Sequence, residues 1–184
     1  MEIKISTQQM LKLLYIISWI IFIGVCIETG SFIFSTVLTM VLNPEDAKHL
    51  WQQVDLSNLY RYDAGHFFVE GLYLIIVGLM KACLFYLIVE ILHDKKLNMS
   101  QPFNTEVGQF ISKLSYLALG IGLFSRAGIE YAEWLIKQGV EMPDAESLSI
   151  GGPDVWLFMG VTLLVIAQIF KRGIEIQREN ELTI

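Results

Sequence analysis

Glu28, Glu70, Lys81, Arg126, Glu130 and Glu133 stand well inside long apolar runs of this chain. A charge at hydrocarbon depth costs at least about 2.5 to 3.5 kcal/mol unless it is paired or wetted, so each position asks for a partner or a polar path. Arg126, Glu130 and Glu133 follow one another at i, i+4 and i+7, which sets them on one helical face. Counting from the ends of the apolar runs puts them at the depth of Glu28 and Glu70, and the spacing predicts an outer-leaflet cluster of acids around Arg126. Such a cluster does one of two things. It locks helices together as an ion-pair network, or it lines a cavity for a small ligand, an ion or a proton. Lys81 lies eleven residues from Glu70, about 16 Å along a helix axis and too far for a direct pair. Ser115, Tyr116 and Gln168 on other runs are its expected solvating groups, unless it snorkels along its own stem. A substrate or proton-relay lysine is the functional alternative.

The elements that must carry these residues are helices. Residues 11–42, 67–92, 107–136 and 155–172 are each apolar over about the 20 residues that a spanning helix needs, and none alternates as a barrel strand does. Hydrophobic residues make up 54% of the chain and charged ones 17%, which leaves no composition for a separate soluble domain beside four spans. The expected fold is all-α: a single four-helix transmembrane bundle over residues 1–184, with a tail at 173–184. The first run is too long for one straight crossing, so it tilts, bends near Gly30 and Ser31, or projects until Asn43 and Pro44 stop it. Asn43 then reads as an N-cap with Pro44 at the first helical position. Apolar residues at Ala47, Leu50, Trp51, Val54 and Leu59 predict an outer amphipathic helix between spans one and two. Asn104 before Thr105 and Glu106 predicts a capped start for the third span. Within that span, Ala118 with Gly122 and Gly128 with Ala132 form two small-xxx-small pairs suited to close packing. Residues 139–153 read as a polar outer loop, ended by Gly151, Gly152 and Pro153.

Orientation follows from basic residues, which stay on the cytoplasmic side. With both termini inside, Lys4, Lys12, Lys95, Lys96, Lys113, Lys171, Arg172 and Arg178 are cytoplasmic, and the outer loops are acidic. Tyr60, Tyr62, Tyr131, Trp134 and Trp156 then read as interfacial anchors. The net charge of -6 resides mainly in the outer loops, so no basic face exists for direct binding of nucleic acid. Cys26 and Cys83 read as buried small hydrophobes in opposite halves of the membrane, not as a disulfide. His49, His66 and His93 are divided between the two sides, although Asp63, His66 and Glu70 with His49 could in principle meet a metal outside. No metalloprotease, phosphate-loop or paired-cysteine motif occurs, so the sequence supports neither enzyme chemistry nor a cofactor.

Beyond the fourth span, helix-forming residues with mixed charge continue to the last residue. The run Ala167-Gln168-Ile169-Phe170-Lys171-Arg172-Gly173-Ile174-Glu175-Ile176-Gln177, closing with Glu179-Asn180-Glu181-Leu182-Thr183-Ile184, resembles the C-terminal signature of the bacterial domain-of-unknown-function family 2975. Pro102-Phe103-Asn104 is similar to the start of that family's third helix. The family often has an acid where this chain has Gln168, so no role for an acid is carried over there. The resemblance implies a four-span protein of the bacterial inner membrane whose gene often neighbours that of a small helix-turn-helix regulator, and it implies no catalytic residues. Two functions are therefore expected. The first is a signalling or sequestering membrane partner of such a regulator, docking it through Lys171, Arg172, Glu175, Arg178 and Glu179. The second is a small transporter, channel or immunity-type protein with a polar path through Glu28, Lys81 and Arg126. The lipid bilayer, the regulator and further copies of the chain are the expected partners.

Overall fold

The computed structural model describes residues 7–41, 56–94, 104–143, 148 and 150–181. Among them the chain is wholly helical: α1 Thr7–Val41, α2 Ser57–Tyr62, α3 Ala64–His93, α4 Thr105–Lys137 and α5 Pro153–Glu181. All but α2 are long and apolar enough to cross a membrane, so the chain is a multi-pass membrane protein. α1 runs unbroken through Gly30 and Ser31, which leaves tilt or projection as the answer to its length. α4 starts as its sequence dictates, with the Asn104 side chain accepting from the Val107 N–H at 2.7 Å. Asp63 caps α3 in the same way through the His66 N–H at 3.0 Å. The predicted outer amphipathic helix falls largely on residues 43–55, outside the described residues, as do His49, Trp51, Lys95, Lys96, Pro102 and Phe103. Its described remainder is the six-residue α2, which packs on α3 through the fully buried Leu59.

Each long helix packs on its neighbours in the chain: α1 on α3, α3 on α4, α4 on α5. Among the described residues the backbones of α1 and α5 do not meet, so the four spans form an open succession of pairs and lack the closing contact of a closed bundle. The seams are built from small residues, because lipid supplies no hydrophobic drive for helices to associate and close approach must do so instead. Between α1 and α3, Gly71 lies under Thr36 and Gly78 under Thr29, a spacing of seven residues on both helices. Between α4 and α5, Gly122 lies against the backbone N of Leu157, and Gly160 against that of Leu119. A Cβ at either glycine would stand under 3.0 Å from the opposing backbone, so the two helices touch only because both positions lack one.

That last register decides the architecture. It sets Pro153, the first residue of α5, level with the turn around Arg126, eleven residues short of Lys137 at the end of α4 and thus about 16 Å below it. We call this end, with α2 and the 138–152 connection, the cap side; the opposite end is the tail side. Two described residues of the connection, Leu148 and Ile150, lie among the helices. Leu148 is fully buried and meets a void beside Gly78 and Lys81, and Ile150 packs on Gly128 and Tyr73. Gly78 itself lies fourteen residues, about 21 Å, from the first residue of α3. The stretch expected as a polar outer loop is therefore in part a re-entrant plug. The apolar core gathers around it, with Leu56, Leu59, Phe67, Leu135 and Val140.

Candidate functional site

The polar residues of the spans fall into separate sites. In the first, Glu28 of α1 and Lys81 of α3 line one void of about 10 Å³, walled by Thr29, Phe32, Leu74 and Leu148. Such a void holds about one water. The Lys81 Nζ also stands 6.0 Å from the centroid of the Trp156 ring, at the range of a cation–π contact. Lys81 thus finds its electrostatic partner on α1 and its aromatic cover on α5. The groups expected to solvate it are elsewhere. The Ser115 hydroxyl donates to the carbonyl of Ser112 at 2.9 Å, while Tyr116 and Gln168 line a groove on the tail side. Trp156, expected as an outer anchor, is drawn inward because α5 begins so low.

Glu70 forms the second site. It points inward from α3 at 0% exposure, and neither carboxylate oxygen has a hydrogen-bond partner among the described residues. The Thr36 and Thr39 hydroxyls of α1 and the Ser125 hydroxyl of α4 are likewise buried and unpartnered. Thr36 touches the residue next to Glu70, since its side chain lies over Gly71. By contrast Ser18 and Thr29 of α1 turn their hydroxyls back onto the carbonyls of Leu14 and Val25 at 2.8 and 2.7 Å. The α1–α3 seam therefore carries satisfied hydroxyls toward the tail side and open ones around Glu70.

Arg126 and Glu130 form the third. The guanidinium donates to Glu130 at 2.8 Å, both side chains are well exposed, and Asp154 at the start of α5 acts on the same charge. This pair sits on the face of α4 that α5 would cover if it reached as high. The single acid cluster predicted around Arg126 does not form. Glu28 belongs with Lys81, Glu70 is buried on the inner face of α3, and only Glu130 pairs with Arg126. Depth counted from the ends of the runs misplaced them, because it ignored which way each helix faces.

On the cap side, aromatic rings enclose His66, whose Nδ1 is hydrogen-bonded to the Tyr131 hydroxyl. Trp134 and Tyr62 lie 5.5 and 6.0 Å from the His66 ring, centroid to centroid. Asp63 is spent on capping, and the backbone N–H groups of His66 and Gly65 hold its carboxyl below the ordinary range. Of the residues considered for a metal, His49 lies outside the described residues, and among the described ones no three such ligands converge. Cys26 and Cys83 are exposed and free, not buried. The α1–α3 register sets Cys26 opposite the turn that contains Cys83, so they share one depth rather than opposite halves.

On the tail side, the docking candidates lie on the last turns of α5. Arg172 and Glu175 pair with each other at 3.1 Å, and Arg178 donates to the Thr105 hydroxyl at 3.3 Å. Lys171 and Glu179 are exposed. Ile174 rests on Gly108. The tail is thus fastened to the first turns of α4 as a fixed helix. The arrangement as a whole offers two chemistries: charge compensation and proton or ion contact in the interior, and a rigid charged face at the tail. Sequence reasoning missed Val140, Leu148 and Ile150, whose signal was apolar side chains in a stretch otherwise read as polar. No protein-family model, curated protein or solved structure matches the chain.

Proposed function

We propose that this protein is a non-enzymatic signalling or sequestering partner of a small cytoplasmic helix-turn-helix regulator, seated in a bacterial inner membrane with its tail side in the cytoplasm. The observation that carries the reading is the fixed tail helix. α5 continues past the last apolar turn as helix to Glu181, tied down by Arg178 on Thr105 and Ile174 on Gly108. Arg172, Ile176, Arg178 and Glu179 remain exposed on it. A face ordered before binding spares a partner the cost of ordering it. The orientation is supported by Lys12, Lys113, Lys171 and Arg172, which all lie toward the tail side. The resemblance of residues 167–184 supports the choice of partner. Crosslinking the membrane-embedded protein in its native cell should recover a small helix-turn-helix protein, and deleting residues 173–184 should abolish the recovery. Recovery unaffected by the deletion, or no such protein at all, contradicts the reading.

A second reading, a small transporter, channel or immunity-type protein, is favoured by the Glu28–Lys81 void beside the re-entrant connection. Non-helical backbone at membrane depth is tolerated where protein buries it or where it lines a wet path, and transporter sites are often built there. Lys81→Met separates the readings. It should abolish any ion or proton movement and leave recovery of the regulator intact.

A further inference from the structure

Between α4 and α5 on the tail side runs a groove of about 490 Å³, whose tail-side wall overlaps the proposed docking face. Its wall changes character along its length. Toward the middle of the layer it is formed by Tyr116, and toward the tail by Lys113, Ala167, Lys171 and Arg178. Tyr116 is 65% exposed, so this end opens outward from the helix pair. The one acid in the wall, Glu175, already accepts from Arg172, which leaves the groove with an excess of positive charge. In the α4–α5 register, Lys113 lies opposite residue 166 and Lys171 five residues further on, about 7 Å apart in depth. Two flexible lysine stems converge across such a gap on one anion. Gln109 and Gln168 add amide donors beside them.

An anion bound here must also tolerate the apolar end of the groove, and it must sit where hydrocarbon gives way to the charged surface. We propose that the groove binds the phosphodiester of an anionic phospholipid from the adjoining leaflet. Lys113 and Lys171 hold the phosphate, and the first part of an acyl chain lies along the exposed Tyr116. Basic pockets between spanning helices at this depth suit such head groups, where each cation contributes about fivefold in affinity. The groove shares Lys171, Glu175 and Arg178 with the proposed docking face, and Lys113 is the cation in its wall that lies outside that face.

The test titrates the full-length protein in neutral detergent with phosphatidylglycerol or phosphatidylcholine and counts retained lipid by native mass spectrometry. Wild type should retain phosphatidylglycerol in preference to phosphatidylcholine. Lys113→Gln/Lys171→Gln should lose that preference by about thirtyfold, and Lys113→Arg/Lys171→Arg, which keeps the charge, should restore most of it. Lys12→Gln, a cation on α1 away from the groove, should change nothing. Equal retention by wild type and the glutamine variant overturns the proposal. So does displacement of the lipid by inorganic phosphate alone, which would assign a free-anion site. Lys113→Gln by itself should lose lipid while still recovering the regulator, so the two proposals fail separately.

Discussion

The cap side and the tail side are ends of the same helices, yet one is filled and the other is open. At the cap side Leu148 and Ile150 are buried among the helices, Leu148 beside α1 and α3 and Ile150 on Gly128 of α4. At the tail side the same helix pairs leave two grooves, one beside Tyr15 and His93 between α1 and α3, the other beside Lys113 and Lys171 between α4 and α5. The difference comes from where α5 begins. Gly122 and Gly160 let α4 and α5 approach until backbone meets side chain, and this register shifts α5 toward the tail by about 16 Å. The shift empties the cap end, which the connection refills, and it carries the polar end of α5 beyond the apolar layer.

If the cap side is held by that plug, truncating it should cost most. Leu148→Ala is expected to destabilise the protein by about 2 to 5 kcal/mol, the range for a fully buried leucine, measured as thermal unfolding in detergent. Ile174→Ala, at the half-buried edge of the tail-side groove, should cost clearly less. Equal losses would erase the contrast. Gly160→Val tests the seam that creates the shift. Its added carbons meet the Leu119 backbone, and about 1 to 3 kcal/mol of overpacking is expected in the same assay.

The helices themselves were legible from length and apolar composition, and the start of α4 from Asn104 followed by Thr105 and Glu106. Asn104→Ala should cost about 1 kcal/mol through the lost cap. The pairing of charges was not legible, because it depends on the register and the facing of helices, which no single run encodes. Glu28 and Lys81 come from different spans, and only the Thr29–Gly78 contact sets them together. The inward placement of Leu148 and Ile150 was hidden for a related reason. Gly151, Gly152 and Pro153 announce a new helix but not its depth, and the apolar Leu148 and Ile150 acquire meaning only once that depth is known.

The smallest effect sharpens the comparison from the other direction. Arg126 and Glu130 are both well exposed and pair with each other, so Arg126→Gln should change stability by less than about 1 kcal/mol. A loss of several kcal/mol would mean that Arg126 anchors the acid network expected from spacing.

The re-entry of the connection is tested most directly by a disulfide. With Cys26→Ser and Cys83→Ser as background, Leu148→Cys and Leu74→Cys are introduced together, and the membrane-embedded protein is mildly oxidised. Both positions line the Glu28–Lys81 void, so a bond between them is expected, and Leu148→Cys alone should resist a membrane-impermeant maleimide. Absence of the bond, with Leu148→Cys labelled as fast as the exposed Glu141→Cys, would place the connection outside the layer and contradict the account.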